Sequence, residues 1–309
     1  MNEIQINGYR FPNIDCYHNL LLYSLVSNKY NIALMGAHWP WQFVIDSNGH
    51  ISSRKMISHK IIKEVYNVSL MRGQLSTNSS TTMLAELRQL LTNTSPILLG
   101  VGQLPHTRLL HDESHSIILK EINENTAMCL DTIPVFFGNL DTQVLLHSIG
   151  SIKEPWYAYL RFPPDVVSID EESVFHDFLT EVRSLAQSNR NTYPQDACTT
   201  KHILSRISDN RQCINEICAG KWGWHIERNA GLLSLYLETD FVSHHYGTSV
   251  VKIQQLIDAN TKLWGTAYKQ LYMATIVKES RFHESLERAI DSFRKIIDME
   301  MQIIEHLLG

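Results

Sequence analysis

Three residues of this chain have the types and positions expected of a nucleophile, its base and the group that orients the base. Cys16 directly follows Asp15 at the head of the apolar run CYHNLLLYSL. His115 opens the run HSIILKEI, and Asp131 closes the run AMCLD sixteen residues later. A cysteine thiolate can attack a carbonyl carbon, a histidine can move the proton, and a carboxylate can hold that histidine in place. These residue types suggest acyl chemistry through a covalent cysteine intermediate.

The element expected to carry Cys16 is a helix over 16–28, with Asp15 as its N-cap. The unpaired N–H groups and the dipole at a helix start favour negative charge, so this position would stabilise a thiolate. The same N–H groups could bind an oxyanion.

His115 and Asp131 are predicted to meet across a β-hairpin. Strands over 115–122 and 124–131 would be joined by the polar turn Asn-Glu-Asn. If the first residue of one strand lies opposite the last residue of the other, the two side chains become cross-strand neighbours. Taken alone, Cys16 could be core filler, His115 a polar strand end and Asp131 the start of a turn. Their combined placement favours the catalytic interpretation.

The pattern of elements changes near the double proline of RFPPDVV (161–167), which predicts a domain boundary. Before it, strands are predicted over 41–46, 95–102 and 157–162, an amphipathic segment over 57–70 and a helix over 80–93. After it, helices are predicted over about 170–188, 199–219, 222–238, 248–278 and 280–307. We therefore predict an α+β catalytic domain over 1–163 and an all-helical domain over 164–309.

The segments FPNIDCYHNLL, ESHSIILKEIN and CLDTIP resemble the butirosin biosynthesis protein H family, and the layout of nearly the whole chain is similar. More distantly, the order of Asp-Cys, His strand and Asp turn resembles the bacteriocin-processing cysteine peptidases. The resemblance implies a papain-like N-terminal domain followed by a helical domain that covers the active site. One departure is that the glutamine with which the peptidases bind the oxyanion is not at its usual spacing, because Gln5 lies eleven residues before Cys16. The resemblance therefore makes Asn13, three residues upstream of Cys16, the candidate side-chain donor to the oxyanion.

The activity implied by this resemblance is acyl transfer in natural-product biosynthesis, such as that of antibiotics. The acyl or aminoacyl group would come from the phosphopantetheine thioester of an acyl or peptidyl carrier protein, so no separately bound cofactor is implied. Cys16 would hold the group, His115 would act as base and acid, and Asp131 would orient His115. A small-molecule amine or hydroxyl would accept the group.

Two alternatives share these residues. A peptidase or thioesterase would form the same acyl-enzyme and resolve it with water. A binding module would keep the fold without catalysis, although all three catalytic residue types are present.

Further candidate substrate contacts come from two aromatic segments. Trp39 and Trp41 lie in AHWPWQF, and Trp222, Arg228 and Asn229 lie in GKWGWHIERNAG. Core packing is the ordinary interpretation of both segments. Aromatic faces also bind acyl chains and pantetheine, and Arg228 or Asn229 could contact the acceptor.

The composition excludes several other classes of function. The chain has 309 residues, of which 44% are hydrophobic and 19% charged, and its net charge of −5 argues against a nucleic-acid partner. The N-terminus shows no basic segment followed by an apolar one, and no apolar run reaches the length of a membrane span. We therefore expect a cytoplasmic protein without a membrane partner.

The cysteine and histidine spacings predict neither disulfides nor a metal site. The five cysteines are odd in number and scattered, which is typical of free thiols. HDESH (111–115) places two histidines four residues apart, but it leads into a strand and no third ligand stands out.

Overall fold

A computed structural model gives the positions of most of the chain. It describes residues 16–45, 51–53, 58–76, 79–94, 96–107, 115–132, 135–164, 169–190, 200–207, 211–219 and 222–309. The strands are β1 (Phe43–Ile45), β2 (Ile51–Ser53), β3 (Ser69–Gln74), β4 (Ile97–Val101), β5 (His115–Ile122), β6 (Thr126–Thr132), β7 (Val135–Asp141) and β8 (Trp156–Arg161). The helices are α1 (Cys16–Ser27), α2 (His59–Tyr66), α3 (Ser80–Asn93), α4 (Thr142–Gly150), α5 (Glu171–Arg190), α6 (Thr200–Arg206), α7 (Arg211–Ala219), α8 (Gly223–Leu237), α9 (Asp240–Tyr246), α10 (Ser249–Ile276) and α11 (Glu279–Leu308). A 3-10 helix follows α1 at Ile32–Ala37.

The described residues form two compact units. The first contains the described parts of Ile14–Ile32 and Ile57–Ile169, and the second contains those of Ala33–Met56 and Asp170–Gly309. The first unit is a mixture of helices and strands, and the second is mainly helical. The prediction of an α+β region followed by a helical region is therefore confirmed.

A six-stranded antiparallel sheet organises the first unit, with strand order β3-β8-β4-β5-β6-β7. All five residues of β4 are buried, as expected of a central strand covered on both faces. Helix α1 packs against β5 and β6, whereas α3 packs against β5 and α4 against β4. One continuous core includes Leu87, Leu99, Ile117, Cys129 and Leu145. Strand alternation places Ile117 and Leu119 on the same face, so β5 contributes every second side chain to this core.

The hairpin between β5 and β6 has the polar turn that the sequence predicts. The side-chain oxygen of Asn123 accepts hydrogen bonds from the N–H groups of Asn125, at 2.9 Å, and of Thr126, at 2.8 Å. The Asn123 N–H also donates to the carbonyl oxygen of Thr126 at 2.9 Å. An asparagine that mimics backbone acceptors in this way stabilises a tight turn.

Helix α3 confirms the helix predicted over 80–93. The hydroxyl of Ser79 accepts a hydrogen bond from the N–H of Thr82 at 3.0 Å. Helix α1 likewise confirms the prediction of a helix from residue 16. Asp15, its predicted cap, lies outside the described residues.

An aromatic cluster lies in the core of the second unit. Phe43 of β1 contacts Trp222 at 5.8 Å and Trp264 of α10 at 5.2 Å between ring centres. Trp264 in turn lies 5.5 Å from Phe293 of α11. The long helices α10 and α11 are joined by two residues and pack against each other. Among the described residues, no helix combines the length and apolarity that crossing a bilayer requires.

The segment from Ala33 to Met56 belongs to the helical unit, which differs from the continuous domain predicted for 1–163. Its contacts give the physical reason. The backbone carbonyl of Pro40 accepts a hydrogen bond from the Asn229 side chain of α8 at 3.3 Å, and Glu181 of α5 accepts one from the N–H of Trp39 at 3.3 Å. Gly36 approaches α8 so closely that an added Cβ would lie 2.0 Å from the carbonyl oxygen of Leu232.

Several elements differ from the predictions. The described part of the amphipathic segment predicted over 57–70 forms helix α2 and the start of strand β3. The single helix expected over 199–219 is two helices, α6 and α7. Strand β7 and helix α4 were not predicted from the sequence. Gly138 and Asn139 interrupt the apolar alternation of β7, and such an interruption weakens the sequence signal of a strand.

The second unit contains a buried carboxyl group, Glu300 of α11. The hydroxyl of Thr200 lies 2.7 Å from both of its oxygens, and the indole N–H of Trp264 donates to one of them at 3.3 Å. Burial raises the pKa of Glu300 to about 8, although both hydrogen bonds oppose that increase. The side chain is therefore mostly protonated at neutral pH.

We expect the free energy of unfolding to fall as the pH rises from about 4.5 to about 8, because the folded protein retains a proton that the unfolded chain has lost. The contribution has a slope of about 1.4 kcal/mol per pH unit and levels off above the folded-state pKa. Glu300→Gln cannot ionise and should reduce the slope by that amount. Urea unfolding across this pH range measures the slope.

The matched control for this measurement is Glu305→Gln, at an exposed position of the same helix. It should leave the pH dependence of unfolding as it is in the wild-type protein. An unchanged slope in Glu300→Gln would contradict the protonation of Glu300 in the folded state.

Candidate active site

Two of the three predicted catalytic residues lie on adjacent strands of the first unit. His115 begins β5, where it pairs with Val101 of β4, and Asp131 of β6 pairs with Phe136 of β7. Both are buried, with 6% of His115 and none of Asp131 exposed. The Nε2 atom of His115 lies 2.7 Å from the Oδ2 atom of Asp131. The predicted contact between these two side chains is therefore confirmed.

The register of the hairpin differs from the predicted one. Ile118 pairs with Leu130, which places Asp131 opposite Ile117 and diagonal to His115 rather than directly opposite it. The reason is the length of the turn: β6 begins at Thr126, and a bulge lies between Leu119 and Glu121. Diagonal neighbours on one face of a sheet are still within reach of long side chains, so the hydrogen bond forms.

A second histidine, which the sequence reasoning missed, binds the same carboxylate oxygen. The Nε2 atom of His106 lies 3.0 Å from Asp131 Oδ2. The His106 ring is stacked on Phe136, with the ring centres 4.2 Å apart and the planes 11° from parallel. The sequence did contain a signal for this contact. His106 lies shortly after β4, and β5, the strand that pairs with β4, begins at His115. The loop after one antiparallel strand lies beside the start of its neighbour.

The hydrogen bonds assign the roles of the ring nitrogens. A carboxylate only accepts hydrogen bonds, so Nε2 carries the hydrogen in both imidazoles. Neutral His115 therefore has its lone pair on Nδ1, which makes Nδ1 the atom that could accept a proton.

The start of α1 lies at the same end of the sheet as His115. Tyr17, the second residue of the helix, contacts the ring of Trp156 at 5.8 Å, and the guanidinium carbon of Arg72 lies 5.2 Å from the centre of the Tyr17 ring. The indole of Trp156 covers Gly100, where an added Cβ would lie 2.3 Å from its nitrogen. Gly100 pairs with Ser116, the residue next to His115.

Cys16 is the first residue of α1, and this helix packs against the two strands that carry His115 and Asp131. The sulfur of Cys16 lies outside the described atoms, so the contact between this sulfur and a ring nitrogen of His115, which the predicted roles require, stays a prediction. Asn13, the candidate oxyanion donor, lies outside the described residues.

The five predicted substrate contacts belong to the second unit and are all buried; they are Trp39, Trp41, Trp222, Arg228 and Asn229. Trp222 donates its indole N–H to the carbonyl oxygen of Ile217 at 2.9 Å. The Nε and Nη2 atoms of Arg228 donate to the side-chain oxygen of Asn229 at 3.3 and 3.2 Å. These contacts fit the ordinary interpretation of the residues as core.

Buried cysteines in both units have weakly acidic thiols. Burial raises the pKa of Cys129 to about 12, and the negative charge of nearby Asp131 adds to the increase. Burial alone raises the pKa of Cys218 to about 12. Cys213 is half-buried, and its thiol donates to the carbonyl oxygen of Arg206 at 3.2 Å. Cys129 and Cys218 are therefore poor nucleophiles at neutral pH.

Within the described part of the chain, no group of three or more His, Cys, Asp or Glu residues is placed to hold a metal ion. Comparison of the chain with protein-family models and with curated proteins gave no match. The site combines a histidine, the carboxylate that it contacts and a helix that begins with a cysteine, all within one unit.

We expect iodoacetamide at neutral pH to modify Cys16 faster than Cys129 and Cys218, because only a thiolate reacts appreciably and burial keeps the other two thiols protonated. Peptide mapping by mass spectrometry measures each site separately. His115→Ala should slow the labelling of Cys16 and leave that of Cys213 unchanged. Equal rates at Cys16 in the two proteins would show that His115 does not activate it.

Proposed function

We propose that this protein is a cysteine-dependent acyltransferase. It takes an acyl or aminoacyl group from the phosphopantetheine thioester of a carrier protein and passes it to an amine or hydroxyl acceptor. Cys16 is the nucleophile, His115 the general base and acid, and Asp131 the residue that orients His115. The observation that supports this most is the buried 2.7 Å hydrogen bond between His115 and Asp131.

The proposal includes a papain-like arrangement of the first unit. Its support is the order of the parts along the chain: a helix that begins with the cysteine, then a strand that begins with the histidine, then a neighbouring strand that carries the aspartate. The packing of α1 against β5 and β6 brings the backbones of these three elements together.

In the first half-reaction, Nδ1 of His115 accepts the proton of the Cys16 thiol, and the thiolate attacks the carbonyl carbon of the thioester. The negative oxygen that forms is stabilised by N–H groups at the start of α1, with Asn13 as the candidate side-chain donor. The bond between the carbonyl carbon and the pantetheine sulfur then breaks. The leaving thiolate takes the proton from His115, and the acyl group remains on Cys16.

In the second half-reaction, the acceptor attacks the carbonyl carbon of the acyl-enzyme. Nδ1 of His115 takes the proton that the acceptor loses. The bond to the Cys16 sulfur breaks, and the thiolate recovers the proton from His115, which restores the starting state. Asp131 stabilises the positive charge that His115 carries in both halves.

We expect intact-mass spectrometry to detect the acyl-enzyme. Incubation with acylated carrier proteins, or with small acyl thioesters, should add the mass of one acyl group, and Cys16→Ala should abolish this increment. His115→Ala should slow acylation by about 10²- to 10⁴-fold, the usual contribution of a general base. Asp131→Asn, shown by circular dichroism to stay folded, should cost less than His115→Ala.

The matched control for acylation is Cys213→Ala, which should acquire the acyl group at the wild-type rate. An increment that persists in Cys16→Ala would contradict the covalent mechanism. The double variant Cys16→Ala/His115→Ala should be little worse than Cys16→Ala, because residues of one catalytic unit are not additive.

The fate of the acyl-enzyme should distinguish a transferase from a hydrolase. Isolated acyl-enzyme is mixed with buffer alone or with a panel of small amines and alcohols, and the loss of the acyl mass is followed with time. A transferase should lose the group faster with one class of acceptor and form the matching amide or ester. Equal rates with and without every acceptor would favour a thioesterase or peptidase.

A further inference from the structure

Asp131 interacts with a second imidazole that the proposed mechanism does not use. His106 reaches the same oxygen as His115 does, at 3.0 Å compared with 2.7 Å. Only 15% of the His106 side chain is exposed, and its ring lies flat on Phe136. The ring is thus held from two sides, by a hydrogen bond at its edge and by an aromatic ring against its face.

The turn that carries His106 is closed by hydrogen bonds between the residues on either side of it. The N–H of Thr107 donates to the carbonyl oxygen of Leu104 at 3.0 Å, and the Thr107 hydroxyl donates to the same oxygen at 3.1 Å. The N–H of Leu104 donates back to that hydroxyl at 2.9 Å. Pro105 restricts the backbone at the second position of this turn. The backbone of His106 therefore has little freedom to move.

The described part of this loop, residues 102–107, is anchored in the first unit. The N–H of Gly102 donates to the carbonyl oxygen of Ser148 in α4 at 3.0 Å. Leu104 and Thr107 are buried, with 2% and 4% of their surfaces exposed. Because the loop is fixed at Gly102 and closed between Leu104 and Thr107, the His106 imidazole is held in one position.

The two donors act on one oxygen of a side chain that can rotate. Rotation of the Asp131 carboxylate would move Oδ2 away from His115 and release the His115 ring from its orientation. A second charge-assisted hydrogen bond, from His106, opposes that rotation. A catalytic group must be held close to its productive geometry, because small displacements cost large factors in rate.

We propose that His106 is a positioning residue, which donates its Nε2–H to Asp131 and thereby holds the carboxylate that orients His115. This inference rests on the proposed function, in which His115 serves Cys16 as its base. His106 itself touches neither the substrate nor the reacting atoms in this proposal. Its effect on the reaction passes through Asp131 and His115.

Two variants separate the hydrogen bond from the packing. His106→Gln retains an N–H donor at about the position of Nε2. His106→Phe retains a flat ring against Phe136 but has no donor. The matched control is His147→Gln, at an exposed position of α4. Thermal unfolding of each variant establishes that it is folded before any rate is compared.

The measurements are the rate of Cys16 acylation by a small acyl thioester and the NMR signal of the His115 imidazole N–H. A proton held between imidazole and carboxylate resonates far downfield and exchanges slowly with water. We expect His106→Phe to slow acylation by about tenfold to a hundredfold and to shift or broaden the His115 signal. His106→Gln should recover most of the rate and the signal, and His147→Gln should change neither.

Two outcomes would overturn the positioning role. One is a folded His106→Phe protein with the wild-type rate and an unchanged His115 signal. The other is an equal loss of rate in His106→Gln and His106→Phe, since this would assign the effect to packing.

Failure of the proposed function would look different. Wild-type protein would then form no acyl-enzyme, while the His115 signal would still depend on the donor at position 106. That combination would support the role of His106 in holding Asp131 and reject the acyltransferase.

Discussion

The hydrogen bonding of one buried carboxylate determines the arrangement of the candidate site. Asp131 has no exposed surface, and a carboxylate removed from water is costly unless donors replace its hydration. The donors come from the start of β5 and from the loop after β4, which are separate in sequence. Because both must reach the same oxygen, the register of the β5–β6 hairpin and the shape of the loop over 102–107 are not independent. A change in either would leave charge or polar atoms unsatisfied in the interior.

A second constraint arises from side-chain size at the centre of the sheet. Gly100 leaves space above β4, the Trp156 indole from β8 occupies that space, and Tyr17 packs on the edge of the indole. The Tyr17 ring in the first turn of α1 thus contacts the Trp156 indole and the Arg72 guanidinium. The polar pair is held by hydrogen bonds between side chains, whereas Tyr17 at the helix start is held by contacts of its ring together with a hydrogen bond from Arg72 to its hydroxyl. Their meeting at one end of the sheet is what makes a cysteine, histidine and aspartate mechanism geometrically reasonable.

The sequence was informative where the determining interactions are local. Apolar periodicity was sufficient for α3, and two β runs around Asn-Glu-Asn were sufficient for the His115–Asp131 contact. The register of the β5–β6 hairpin could not be predicted, because it depends on a bulge and on the number of residues in the turn. His106 was missed because its partner lies on a strand 25 residues away. The packing of Phe43 with Trp222 and Trp264 is likewise determined by contacts between distant segments, which periodicity does not encode.

The membership of Ala33–Met56 in the helical unit has a consequence for the protein during its synthesis. The ribosome releases this segment before Asp170–Gly309, which supplies its partners on α5, α8 and α10. The first unit can be completed as soon as Ile169 has emerged, because all of its strands precede that point. Trp39 and Trp41 stay exposed until the helices after Asp170 have been synthesised. Exposed apolar surface on an unfinished chain promotes chaperone binding or aggregation. A nascent chain paused near residue 170 would therefore carry a finished sheet together with an unburied aromatic segment.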